Sequence, residues 1–159
     1  MKRAVNRLVK LLEKKKLTIA FAESMTCGLA AHQMSTVKGT ACVLAGSLVC
    51  YREEVKQELL KIPKQLIRKH TAESQPVTDA LARNLGKIFH ADIYAAVTGL
   101  ASPGGSETKR KPVGTVFLSF IYKDKLYHER KLFRGTPLQV KRRACREFFR
   151  FIADQVEKG

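Results

Sequence analysis

The chain has 159 residues, 45% of them hydrophobic and 28% charged, proportions that suit one globular domain and exclude a disordered, collagen-like or coiled-coil chain. Its longest apolar stretch, Thr40 to Tyr51, is too short to span a bilayer and is broken by Gly46 and Ser47, and its basic start lacks the apolar run and cleavage site of a signal peptide. The net charge of +16 attracts anions, whether nucleotide phosphates, nucleic acid or acidic lipid, without choosing among them.

In chain order, Val5 to Lys15 reads as an amphipathic helix, with Val5, Leu8, Val9, Leu11 and Leu12 as its apolar stripe. Leu17 to Ala22 is a β-prone run suited to a buried strand. It ends at Glu23-Ser24-Met25-Thr26-Cys27-Gly28, where an Ala-rich helix begins and runs to about Met34. A second strand is expected from Gly46 to Tyr51 and a helix from Glu53 to Leu60. Pro63 opens a further short helix, and Gln75-Pro76 leads into a helix through Phe89, with Val77, Leu81, Leu85, Ile88 and Phe89 at helical spacing.

Asp92 to Thr98 is another apolar strand, running into the long turn Gly99 to Pro112. Val113 to Tyr122 and Leu126 to Phe133 alternate and flank Lys123-Asp124-Lys125, the signal for an antiparallel hairpin. The last helix is expected from Pro137 to Val156, with Val140, Ala144, Phe148, Ile152 and Val156 inward and Arg143, Arg146 and Arg150 on another face. Helices alternating with strands, then a hairpin, predict a three-layer α/β/α sandwich around a mixed, mostly parallel sheet with a C-terminal antiparallel hairpin. One domain is expected over residues 1–159.

Cys27, Cys42, Cys50 and Cys145 form no C-x-x-C pair, and no histidine pairs with a cysteine at zinc spacing. Reduced thiols in a cytoplasmic protein without a structural metal are expected. Ligands of open α/β sheets collect at the carboxyl ends of parallel strands. Two strands here end in turns rich in Ser, Thr and Gly: Glu23, Ser24, Thr26 and Gly28, then Thr98, Gly99, Ser102, Gly104 and Gly105. Backbone N–H groups at the helix start after Ser24 can hold an oxyanion or a phosphate. Taken alone, such turns more often serve only as caps and turn residues.

Glu23-Ser24-Met25-Thr26-Cys27-Gly28 closely resembles the E-S-C-T-G-G signature of the C-terminal domain family of the competence/damage-inducible protein CinA, which includes nicotinamide mononucleotide amidohydrolases. Gly46 to Lys56 is similar to the family's G-x-x-V-x-Y-x-x-x-x-K, Thr98 to Gly105 to T-G-I-A-G-P-x-G, and Lys111 to Val116 matches K-P-V-G-T-V. The four ordered motifs cover about Leu17 to Arg142. The chain departs from the pattern at Cys27 (the first glycine of T-G-G), Met25, Ser102 and Gly135-Thr136-Pro137 (for G-D-R), and His70 to Gln75 resembles G-A-V-S-E only loosely.

The resemblance implies a serine amidohydrolase that deamidates a pyridine mononucleotide, without metal or organic cofactor. It implies Ser24 as nucleophile, Lys56 as general base and Tyr51 as its hydrogen-bonding or proton-relaying partner. Glu23, Thr26, Cys27, Gly28, Thr98, Gly99, Ser102, Gly104 and Gly105 would line the substrate, and Arg142 would meet its phosphate. A lysine serves as base only when neutral. Bringing its pKa from about 10.4 to near 7 means destabilising the ammonium by roughly 4–5 kcal/mol, for which burial beside Val49 and Leu59 or Leu60 is the available means.

The expected partner is a small nucleotide, with no membrane. A homo-oligomer is compatible with the sequence, which shows no interface. The competing reading is a catalytically altered or inactive paralogue that binds nucleotides, or binds nucleic acid through Lys10, Lys14 to Lys16, Arg143, Arg146 and Arg150. It is disfavoured as a sequence-specific reader by the lack of an aromatic-rich basic stripe.

Overall fold

A computed structural model describes residues 1–159. Seven helices and five strands alternate as α1 Lys2–Lys15, β1 Ile19–Glu23, α2 Leu29–Ser35, α3 Thr40–Val43, β2 Leu44–Val49, α4 Glu53–Glu58, α5 Lys64–His70, α6 Gln75–Leu85, β3 Ile93–Gly99, β4 Thr115–Tyr122, β5 Lys125–Leu132 and α7 Pro137–Lys158. The five strands form one sheet in the order β2-β1-β3-β4-β5. β2, β1 and β3 run parallel, and β4 and β5 continue the sheet antiparallel.

Strand residues alternate between two cores because successive side chains point to opposite faces. Ile19 and Phe21 of β1, with Ile93, Ala95 and Val97 of β3, pack under α1, α2 and α7. Ala20, Ala22 and Ala96 face the other way, against Leu81, Leu85 and Ile67 of α5 and α6. The small alanines let α6 lie close on the sheet. On the other side the rings of Phe148 and Phe149 meet Phe21 edge to face, at 6.0 and 6.4 Å, a favoured arrangement of aromatic quadrupoles. Val140, Ala144, Phe148, Ile152 and Val156 are all buried, as their spacing predicts.

Several boundaries differ from expectation, α4 ending at Glu58 rather than Leu60 among them, and three bear on the architecture. β2 begins at Leu44 and ends at Val49, leaving Cys50 and Tyr51 in the turn toward α4. α6 stops at Leu85, because Gly86 favours a break; Lys87, Ile88 and Phe89 continue only as a hydrogen-bonded turn. The hairpin turns on two residues, Lys123 and Asp124, both with positive φ (49° and 60°), since Tyr122 already pairs with Lys125. That turn matches the twist of the flanking strands.

Strand β1 has its sequence neighbour β2 on one side and β3 on the other. The chain therefore reverses its direction of travel across the sheet at β1, which opens a crevice at the carboxyl ends of β1 and β3.

Candidate functional site

That crevice holds a cavity of about 370 Å³, lined among others by Ser24, Met25, Tyr51, Glu73, Lys141 and the loop from Gly99 to Gly105. The parallel register places Glu23 beside Val97 and beside Val49. Backbone hydrogen bonds extend the pairing one residue further: Ser24 N–H donates to Val97 O at 3.1 Å, and Cys50 N–H donates to Glu23 O at 2.8 Å. The ends of three strands thus present Ser24, Cys50-Tyr51 and the Gly99 loop side by side.

Lys56 is 1% exposed, the one buried residue of a six-residue helix whose Val55 and Gln57 are half-buried and whose glutamates are exposed. Its Nζ lies 3.2 Å from Ser24 Oγ, 2.8 Å from Cys50 O and 3.1 Å from Tyr51 O. A neutral amine has two hydrogens and one lone pair. Two of the three partners are carbonyls that only accept, and the third is a hydroxyl that can donate. The set therefore satisfies a neutral lysine that receives the Ser24 proton. Burial pushes the Lys56 pKa below its ordinary value, against the weaker upward pull of Cys50, Glu73, Glu53 and Glu54. Of the apolar neighbours expected to bury it, Leu60 is buried, whereas Val49 and Leu59 are exposed. The same burial pushes the Cys50 thiol up to about 11.

Tyr51 reaches Lys56 through its main-chain carbonyl. Its phenol is 61% exposed, lines the cavity and makes no hydrogen bond to Lys56 or Ser24. A relay through the phenol thus requires the side chain to move.

The turn after Ser24 corrects several sequence expectations. Glu23 is fully buried, and its carboxylate accepts from Thr26 Oγ1 (2.7 Å), Ala30 N–H (3.0 Å), Ala31 N–H (2.9 Å) and Ser47 Oγ (3.0 Å). It caps α2 from within the fold and does not face the cavity, and the α2 N–H groups it fills are closed to a phosphate. Thr26, 3% exposed, is spent on Glu23. Cys27 and Gly28 take positive φ (53° and 88°) to turn the chain into α2. With Thr26, they line a separate shallow depression beside His32, Leu138 and Lys141. The N–H groups of Met25 and Thr26 have no acceptor within the chain.

On the second wall, Gly99, Ser102, Gly104 and Gly105 line the cavity. Gly99 is required by close approach: a Cβ there would lie 2.5 Å from Thr115 O. The N–H groups of Gly104 and Gly105 are already held by the Glu107 carboxylate, each at 2.8 Å. Thr98 does not reach the cavity. It is fully buried, and because Thr78 Oγ1 spends its hydrogen on Ser74 O, Thr98 Oγ1 donates to Thr78 Oγ1 at 2.7 Å. Arg142 points to solvent, and its neighbour Lys141 lines the cavity instead.

No group of three or more His, Cys, Asp or Glu side chains is placed to hold a metal ion. No helix is long and apolar enough to cross a membrane.

The family model of the CinA C-terminal domain matches residues 1–156. The chain belongs to the CinA C-terminal domain family. A CinA-like protein of Petrotoga mobilis is 36% identical over 152 residues, covering 95% of this chain and 37% of that protein. A CinA-like protein of Mycobacterium sp. (strain JLS) is 46% identical over 99 residues, 62% of this chain and 23% of that one. The chain spans little more than a third of the first of these relatives. Among solved structures, the competence damage-inducible protein A of Klebsiella pneumoniae subsp. pneumoniae superposes with a TM-score of 0.93 at 23% identity, covering 98% of this chain and 96% of that one. At that identity it shows the fold.

Within the CinA frame, the departures read from the sequence acquire positions. Cys27 turns its side chain away from the cavity that holds Ser24. Thr136 caps α7 in a reciprocal box with Gln139, and Pro137 occupies the first turn and lines the cavity. Sequence reasoning missed Met25, Glu73, Pro137 and Lys141 as wall residues. Met25 and Pro137 lie inside segments already compared with the family pattern and Glu73 inside the loosely matching His70 to Gln75, while Lys141 lies one residue from Arg142.

Proposed function

We propose that this chain is a serine amidohydrolase that converts the carboxamide of nicotinamide mononucleotide to a carboxylate with release of ammonia. The observation that carries this reading is the buried Lys56 amine 3.2 Å from the Oγ of Ser24, a residue that lines the cavity. The cavity volume falls within the range usual for small-molecule sites.

Lys56 takes the Ser24 proton as Oγ attacks the amide carbon. The carbonyl oxygen becomes an oxyanion, for which the N–H groups of Met25 and Thr26, without an acceptor in the chain, are the available donors. Lys56 returns the proton to the leaving nitrogen, and ammonia departs as the C–N bond breaks. Water, deprotonated by Lys56, then attacks the acyl-serine ester, and the carboxylate leaves as Ser24 regains its proton. The Cys50 and Tyr51 carbonyls hold the amine in place throughout. Lys141 is the cation available to the phosphate.

The test is ammonia release from nicotinamide mononucleotide by the intact chain and by Ser24→Ala and Lys56→Met. Release by the first alone supports the reading. No release by folded intact protein at high concentration overturns it for this substrate and favours a nucleotide-binding paralogue.

A further inference from the structure

Of the charged side chains lining the cavity, one is a carboxylate and one an ammonium: Glu73 and Lys141. Nothing in the reaction above uses Glu73. In a chain of net charge +16 Glu73 is the one carboxylate among the residues that line the cavity, and a carboxylate there attracts a cation, with the Lys111 ammonium behind it lessening the pull.

Glu73 is held from both ends. Lys111 Nζ donates to the Glu73 main-chain carbonyl at 2.9 Å, to Thr71 Oγ1 at 2.6 Å and to Ser106 Oγ at 2.7 Å. Ser106 Oγ, its lone pair used by Lys111, donates its hydrogen to Glu73 Oε2. Oε1 has no hydrogen-bond partner within the chain. The segment bends into place at Thr71, whose φ of 69° and ψ of 158° lie in a region that side chains rarely enter. The Lys111 ammonium fastens the Thr71 hydroxyl there. Such strain persists only where its surroundings hold it, and it concentrates at functional sites. The network fixes the direction of one carboxylate and leaves one of its oxygens free.

We propose that Glu73, oriented by Ser106 and Lys111, is a specificity residue that selects ligands with a positively charged ring, with Lys141 receiving the anionic end of the same ligand. This rests on the hydrolase reading for the identity of the ring, a pyridinium ribotide being positive at the ring and negative at the phosphate. The carboxylate acts by charge across the cavity. A neutral ring of the same shape forfeits that attraction.

Oxidised and reduced nicotinamide mononucleotide form a matched pair of probes. They share amide, ribose and phosphate, and only the oxidised ring is cationic. Binding of both is measured by calorimetry on the full chain carrying Ser24→Ala, which prevents turnover. A preference for the oxidised form of about tenfold, the scale of one partly shielded charge pair, is expected. Adding Glu73→Gln, which keeps the size of the side chain and its acceptor for Ser106, is expected to bring the ratio close to one. Ser106→Ala, which frees the carboxylate, is expected to give an intermediate ratio, with melting temperatures reporting that each variant is folded.

An unchanged ratio in Glu73→Gln overturns the proposal, as does an equal weakening of both nucleotides, which would mark Glu73 as a partner of ribose hydroxyls. A charge preference without ammonia release by the intact chain leaves Glu73 standing and overturns the hydrolase reading. Binding of neither nucleotide overturns both.

Discussion

Lys56 Nζ and Ser24 Oγ meet at 3.2 Å across 32 residues of sequence, one on the short helix after β2 and the other on the turn after β1. Their meeting follows from the parallel pairing of those two strands, which brings both carboxyl ends to one edge of the sheet. Replacing Lys56 by Met keeps the buried volume and removes the base. Ammonia release is expected to fall by about 100- to 10,000-fold, the usual worth of a general base, while Ser24→Ala falls to the uncatalysed rate. Circular dichroism of both variants checks that the fold is intact.

The lowered Lys56 pKa, caused first by burial, has two consequences for pH. Activity needs the neutral amine, so kcat/KM is expected to rise with pH and level off at a value below the ordinary lysine range near 10.5. Stability follows the same group. Between the folded and the unfolded pKa the unfolded chain holds a proton that the folded chain has released, so stability rises with pH in that window. Below the folded pKa the cost of burying the ammonium is present in full. Urea midpoints measured from neutral to alkaline pH are expected to climb for the natural chain and to climb less for Lys56→Met.

Glu23 stands next to the proposed nucleophile, yet its four hydrogen bonds are all structural. Glu23→Ala leaves Thr26, Ser47 and two α2 N–H groups without their acceptor. A loss of at least about 2 kcal/mol in unfolding free energy is expected. If the folded fraction of this variant kept full stability and lost only substrate affinity, the capping role would be wrong.

Lys141 and Arg142 differ by one residue and by about 100° of helix rotation, so only Lys141 reaches the cavity. Lys141→Ala is expected to raise KM for the mononucleotide about tenfold or more, as befits loss of a charge-assisted phosphate contact. Arg142→Ala is expected to change it less than about twofold, since exposed charges contribute little. Steady-state kinetics of the pair decides between them.

Cys27 holds a φ of 53° at the position before Gly28, with its side chain exposed and outside the cavity. A glycine relieves that conformation at no steric cost. Cys27→Gly is expected to raise stability by roughly 0.5–1 kcal/mol, read as an upward shift in melting temperature with kcat unchanged within about twofold.

Local pattern made most of the architecture legible. The 3.6-residue recurrence in α1 and α7 and the short apolar runs of β1 and β3 each encode which way a side chain faces within its own element. The element ends were less clear. Gly86 ended α6 four residues early although Ile88 and Phe89 kept the apolar spacing, because backbone preference outweighed pattern at a helix end. Ser24, Gly99, Ser102, Gly104 and Gly105 were visible as candidates through the motifs that carry the family resemblance, since Ser- and Gly-rich turns after strands also serve as caps.

The sequence by itself determined the order of helices and strands apart from α3, the family motifs, and which turns follow β1 and β3, since these are patterns within short stretches of chain. Tertiary structure alone decided that Lys56 is buried against Ser24, that Glu23 and Thr98 turn into the fold, and that Lys141 and Glu73 furnish the charges of the cavity. Those outcomes depend on how helices are rotated against the sheet and how strands are ordered within it. Both are set by packing across the whole chain, where one residue of helix rotation separates a cavity wall from open water.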